Sequence, residues 1–316
     1  MFALIFKSRL TRAYIDQTCQ FKMPDTCEPK AVVDQEYRLS EKQIREFYEN
    51  GYMGPYDAFS PEDMADFHDE MLAIENTKSE TYDFVTPRDR HFEMPRLWQY
   101  MKSPAITERL AQILGPDLLV WRSQIFYKGP HSPAIQWHQA STFMVEDYLD
   151  PAIFPPDRNE MFQLTVWVAV DDSTPENGCL EFMPGTHDRI RPIRFGGDRG
   201  FYNAQFSLDF DEERQAKVQV PCKSGQFIVF AERCIHGSQP NQTDSHRLAF
   251  NMRVVPTSVP VYTNKQKYRS VYNGGCYNLD KWGVSLLRGE DRCRLSRSVD
   301  PELPGVVVQS QGKRAA

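Results

Sequence analysis

Hydrophobic positions along the chain follow two different periods, and the change falls at Pro116. Before it the pattern is helical. Ser40 and Gln43 form a capping box ahead of EKQIREFYEN, which Gly51 stops. Ser60-Pro61-Glu62-Asp63 repeats the start signal with Pro61 at the first helical position, predicting a helix to about Glu75. A third helix, ITERLAQIL, runs into Gly115-Pro116, a strong terminator. Beyond Pro116, DLLVWRSQIFYKG, FQLTVWVAVDD, GCLEFMPG, KVQVPCKSGQFIVFAE and HRLAFNMRVVP are rich in β-branched and aromatic residues, with Gly, Pro, Asn and Asp clusters between them. Many closely spaced strands with helices gathered at one end predict a mainly β (α+β) fold, a β-sandwich or jelly roll with an N-terminal helical layer. One domain over 39–295 is expected. Residues 1–38 read as a poorly ordered extension or a misplaced start, and 296–316 as a C-terminal tail.

Composition narrows the function classes. A length of 316 residues is ample for a sizeable core. The net charge of −6, with no dense basic stripe, argues against a nucleic-acid partner. Seven cysteines without a CxxC pair indicate neither a disulfide framework nor a zinc site, and read as reduced thiols. No apolar run approaches the roughly 18 residues of a spanning helix. In the opening MFALIFKSRLTR the apolar stretch precedes the basic residues, the reverse of a signal peptide. A cytoplasmic protein that does not enter a membrane is the expectation. The segment from Val145 to Met161, with three prolines and five acids, reads either as a lid beside a site or as a plain surface excursion.

Two of the seven histidines stand out by context. His138 lies in Ile135-Gln136-Trp137-His138-Gln139-Ala140, just past the first strong strand, and His236 follows the strand Gly225–Phe230. A jelly roll can bring such strand ends together, and two converging imidazoles suit iron. Arg247 lies eleven residues after His236, on a strand whose alternation puts Arg247, Ala249, Asn251 and Arg253 on one face. A guanidinium there is suited to grip the far carboxylate of a dicarboxylate through two parallel hydrogen bonds. The alternative is a surface arginine in a salt bridge.

These features in this order resemble the phytanoyl-CoA dioxygenase superfamily. Within it they are most similar to the non-haem iron halogenases that chlorinate aliphatic amino acids tethered to carrier proteins. Gly51–Glu62, Trp137-His138-Gln139-Ala140, Asn177–Thr186 and Gly225–Phe230 carry the resemblance, which covers roughly residues 40–290. It implies a double-stranded β-helix (cupin-like) core and an Fe(II), 2-oxoglutarate and O₂-dependent reaction. His138 and His236 would be the metal ligands and Arg247 the anchor of 2-oxoglutarate, with Trp167 and Thr165 in the same pocket.

Iron oxygenases of this type use two histidines and a carboxylate, the carboxylate standing two residues after the first histidine. Here that position is Ala140, whose methyl group ligates nothing. The resemblance implies that chloride or bromide fills the place, steadied by Arg253 and Thr165 through waters and walled by Phe143. Hydrogen removal from an unactivated C–H bond would then end in halogenation instead of hydroxylation. Two other readings of Ala140 are a decayed site, and Glu146 or Asp147 serving as substitute ligand. The expected partner is a peptidyl or acyl carrier protein bearing the substrate on phosphopantetheine. Gln124, where carrier-dependent relatives have an acidic residue, implies a different substrate. The rival functions are a free-standing halogenase of a soluble small molecule, a hydroxylase with two protein ligands and a water, and a silent jelly-roll binding protein.

Overall fold

The computed structural model describes residues 20–139, 145–146, 150–157, 159–191, 193–195, 206–208, 210–262, 265–269, 276–303 and 305–309. Four α-helices precede most of the strands: α1 (Glu41–Asn50), α2 (Pro61–Glu75), α3 (Pro95–Met101) and α4 (Pro104–Leu114). The capping boxes expected at Ser40 and Ser60 both form, and Gly51 ends α1 in a left-handed conformation (φ 82°). Helix α3 had no clear sequence signal. It is a seven-residue helix that begins on Pro95 and buries Leu97, Trp98 and Met101.

The main strands are β1 (Tyr52–Asp57), β2 (Leu118–Lys128), β3 (Ile135–His138), β4 (Leu164–Ala169), β5 (Leu180–Met183), β6 (Val218–Val220), β7 (Gln226–Ala231), β8 (Ile235–Ser238), β9 (Arg247–Pro256) and β10 (Ser285–Arg288). They form a six-stranded sheet in the order β1-β7-β4-β9-β2-β10 and a four-stranded sheet in the order β6-β5-β8-β3. Every pairing between them is antiparallel. This is the jelly roll expected from the strand-rich second part of the chain.

The central strand β9 has no wet face. On β9, Leu248, Phe250, Met252 and Val254 alternate with Arg247, Ala249, Asn251 and Arg253, and all eight are buried. The apolar set joins a core with Phe67 and Met71 of α2, Trp98 of α3 and Leu110 of α4, where Phe67 meets Phe250 edge to face. The polar set therefore lies on the face turned away from the helices. Burying charged and amide groups there is costly unless they are held by partners or a ligand.

Among residues 20–38, Phe21 packs on Tyr48 and His187, and Cys27 is buried. The six described cysteines are free, four of them buried. Among the described residues no helix is long and apolar enough to cross a membrane. Within the segment from Val145 to Met161, Val145–Glu146 pairs with Asp150–Pro151, and Ile153 bridges Val261.

Candidate active site between the two sheets

His138 ends β3 and stands directly opposite His236 of β8. The two rings lie 4.1 Å apart, centroid to centroid. This approach depends on Gly237, because a Cβ at that position would sit 2.8 Å from the carbonyl oxygen of Ile135 on β3. Each ring is pinned from behind: His138 Nδ1 bonds to the Gln136 carbonyl at 2.8 Å, and His236 Nδ1 to the Cys234 carbonyl at 2.9 Å. With Nδ1–H donating to a carbonyl, Nε2 carries the lone pair, the arrangement a metal ligand requires. Burial holds His138 well below the usual imidazole range, with further pressure from His236 and Arg253. Burial also pushes His236 to about 4, and Arg253 adds to it against the opposing Cys234 carbonyl. Both rings are therefore neutral at pH 7 and need release no proton to bind a cation.

Gln139, next to His138, is fully buried and holds the chain there. Its amide nitrogen donates to the carbonyls of Arg189 (2.9 Å) and Arg233 (2.5 Å), and its oxygen accepts from Arg191 N. Phe230 and Phe182 lie against His236, at 4.5 and 6.0 Å between ring centroids. They wall the pair with apolar surface.

The large sheet supplies the cations. Arg253 pairs in register with Thr165 of β4 on one side and Arg122 of β2 on the other. A bulge in β2 beside this point sends Trp121 to Gln163 and Arg122 to the Tyr262 hydroxyl, both at 2.8 Å. Asn251 stands between Trp167 and Gln124. Arg247, 2% exposed, donates from Nη1 to the Gly178 carbonyl at 2.5 Å and to Ser173 Oγ at 3.3 Å, with its guanidinium 5.1 Å from the centre of the Trp167 ring.

Lys128 was not among the residues singled out in the sequence. It stands opposite Arg247 in register and is 4% exposed. Its Nζ donates to Ser238 Oγ at 3.0 Å. Burial, and then Arg247, lowers the ammonium to about 8, so it remains largely charged at pH 7. The alternation along Arg122, Gln124, Phe126 and Lys128 was the signal that could have found it.

Of the residues expected at the site, the structure brings together His138, His236, Thr165, Trp167, Arg247 and Arg253, all facing the space between the sheets. Gln124 is on the same sheet, half-buried, and bridges to Arg88. Ala140 and Phe143, like Asp147, lie outside the described residues, as does the side chain of Glu146.

The lining fits iron and 2-oxoglutarate. Two neutral imidazoles offer a divalent metal two nitrogen donors from one side. Ser238, which Lys128 contacts, is two residues from His236, a step of roughly 7 Å along a strand, about the length of a five-carbon dicarboxylate. Thr165 Oγ1 and Asn251 Oδ1 are buried without a hydrogen-bond partner among the described residues. Buried polar atoms left so are expected where a ligand supplies the missing bonds.

Comparison with known proteins gives the same chemistry. The profile of the phytanoyl-CoA dioxygenase family matches residues 47–249. A probable alpha-ketoglutarate-dependent hypophosphite dioxygenase of Stutzerimonas stutzeri is 26% identical over 226 residues, covering 65% of this chain and 75% of that protein. Human peroxisomal phytanoyl-CoA dioxygenase is 26% identical over 161 residues, half of this chain and 46% of the relative's length. Among solved structures, CytC3 with Fe(II) and alpha-ketoglutarate superimposes with a TM-score of 0.64 at 28% identity, covering 82% of this chain and 92% of that one.

Proposed function

The chain belongs to the phytanoyl-CoA dioxygenase family, as an Fe(II)/2-oxoglutarate-dependent oxygenase, and we propose that within this family it is a halogenase. The observation that carries the reading is Ala140, two residues after His138, where a third protein ligand is expected and a methyl group stands. Chloride or bromide takes that coordination place. Arg253 supports the proposal because its charge reaches both histidines. Thr165, opposite it in register, holds a hydroxyl with no other described partner. A halide in a largely dry pocket is costly without such donors.

In this reading His138 and His236 hold the iron through Nε2, each ring oriented by its bond to a backbone carbonyl. Arg247 and Lys128 grip the far carboxylate of 2-oxoglutarate, and Trp167 lies against the guanidinium to keep it in place. Arg253 and Thr165 steady the halide, while Phe182 and Phe230 exclude water. With O₂ and 2-oxoglutarate, iron supplies the oxidising power that removes hydrogen from an unactivated C–H bond. The overall exchange balances as substrate C–H, halide, 2-oxoglutarate, O₂ and one proton giving C–halogen, succinate, CO₂ and water. The substrate is an aminoacyl or acyl group on a peptidyl or acyl carrier protein, whose fixed arm sets the depth of the reacting carbon. Gln124, on the cationic face of the large sheet, lies among the residues that would meet it.

Hydroxylation, with a water in the third ligand place, is the second reading, and the dioxygenase names of the sequence relatives favour it. The two differ in product mass. The protein is reconstituted with Fe(II), 2-oxoglutarate, O₂ and chloride, then given loaded carrier proteins and free metabolites. A two-isotope chlorine pattern in the product is expected, and Ala140→Asp is expected to abolish it. Undiminished chlorination by Ala140→Asp would remove the halide assignment, and an oxygenated product from the wild type would favour the hydroxylase.

A further inference from the structure

Outside the reaction site, three side chains from separate segments converge at the rim of the large sheet. His68 lies on α2, Asp171 two residues beyond the end of β4, and His246 immediately before β9. One potential ligand atom from each lies within 4.8 Å of the other two, and all three residues are partly buried. His68 Nε2 is 2.9 Å from His246 Nε2 and 3.7 Å from Asp171 Oδ1. Ligands bound tetrahedrally to zinc at ~2.0–2.2 Å stand roughly 3.3–3.6 Å apart, and the two observed separations bracket that spacing.

Two of the three donors are also held from behind. Asp69 Oδ1 is 3.1 Å from His68 Nδ1, a carboxylate–histidine contact of the kind that orients metal-binding imidazoles. Asp171 Oδ2 accepts the Leu248 N–H at 2.7 Å, leaving Oδ1 directed to the cluster. The His246 ring meets that of His68 edge to edge, 5.1 Å between centroids, and Tyr127 stacks on it at 5.1 Å. A hydrogen bond between the two imidazoles uses one proton and one lone pair and leaves the carboxylate oxygen beside them. A cation uses all three donors.

We propose that His68, Asp171 and His246 form a second metal site, specific for zinc or a similar late divalent transition metal, that clasps α2 to the ends of β4 and β9. Two imidazoles and one carboxylate are a borderline donor set that zinc takes without a preference for geometry. Because the ligands come from distant parts of the sequence, the ion closes large loops and stabilises the folded chain by mass action. The clasp ends one residue from Arg247, so it also steadies the start of the strand that grips the cosubstrate.

The test uses zinc alone on the full chain carrying His138→Ala and His236→Ala, which removes the buried pair. One zinc per chain is expected, with an upward shift in Tm. Co(II) in its place should give the absorption of a tetrahedral site. Adding His68→Gln or Asp171→Asn should weaken binding by ~100-fold and remove the Tm shift, since loss of a partner merely orienting a ligand costs 10–100-fold. The exposed His131→Gln should change neither. In the otherwise wild-type chain, His68→Gln should lower the bound zinc by one equivalent whatever the buried pair takes up. A folded pair-less variant that binds no zinc, or zinc binding indifferent to His68 and Asp171, would overturn the clasp and leave the reading of the buried site untouched.

Discussion

The two histidine clusters of this protein are built from similar donors and differ in what surrounds them. At the rim, His68 and His246 have a described carboxylate beside them and reach solvent, with side chains of His68 and Asp171 22% and 29% exposed. Between the sheets, His138 and His236 are oriented by backbone carbonyls, walled by phenylalanines, and faced by arginines. The rim offers three donors to an ion, but among the described residues it has no cationic pocket to receive a dicarboxylate. The inner pair has that pocket, and redox chemistry that must exclude water belongs there. Burial alone does not make a ligand either. His91 is more deeply buried than either, with Nδ1 on Ser123 Oγ at 2.8 Å, and sits in the core against Phe92 and Trp98.

The contrast can be broken most sharply by removing one ligand of the inner pair. His236→Ala is expected to lower Fe(II) affinity and succinate formation by more than ~100-fold, beyond the range for outer partners of a metal ligand. A reversal, with His68→Gln abolishing turnover and His236→Ala sparing it, would exchange the roles of the two clusters. Next in size is the cationic pocket that the rim lacks. Arg247→Met should raise the 2-oxoglutarate concentration for half-maximal turnover by ~10- to 100-fold, the worth of a charge-assisted hydrogen bond. Lys128→Met should shift it in the same direction and less, and anaerobic binding of 2-oxoglutarate checks both. No shift in either variant would place the cosubstrate elsewhere.

His91 sharpens the comparison through pH. Its burial lowers it from 6.5 to about 4, opposed by Asp89 and Glu93. The unfolded chain thus takes up the proton before the folded one. Stability from this group is complete above pH 6.5, falls as the pH drops, and is lost below about 4, amounting to about 3 kcal/mol. Urea unfolding at stepped pH should show a shallower acid loss for His91→Leu than for the wild type. The smallest effect is at the start of the helix that carries His68. Ser60→Ala removes the cap on Asp63 N and should cost about 1 kcal/mol, visible in Tm and absent from succinate formation.

Much of this was legible in the chain itself. Ser40 and Ser60 announced two helices because a cap is a local event, complete within four residues. The alternation along β9 placed Arg247 and Arg253 on one face because strand geometry has a period of two. His138 and His236 were legible from their motifs, but their pairing depends on Gly237 admitting β3 close to β8. Lys128 went unnoticed because a lysine near a strand end is ordinarily solvated, and only the register opposite Arg247 buries it. His246 carries no signal in its own sequence context because its two companions come from a helix and from the end of another strand, far apart in sequence.

The sequence by itself determined the order of elements, the two-faced character of β9 and the alanine after His138, since each is set by local propensity or by covalent identity. The tertiary structure alone decided which imidazoles meet and which cations face them. Those are long-range contacts, fixed by sheet order and strand register, and no local pattern encodes them.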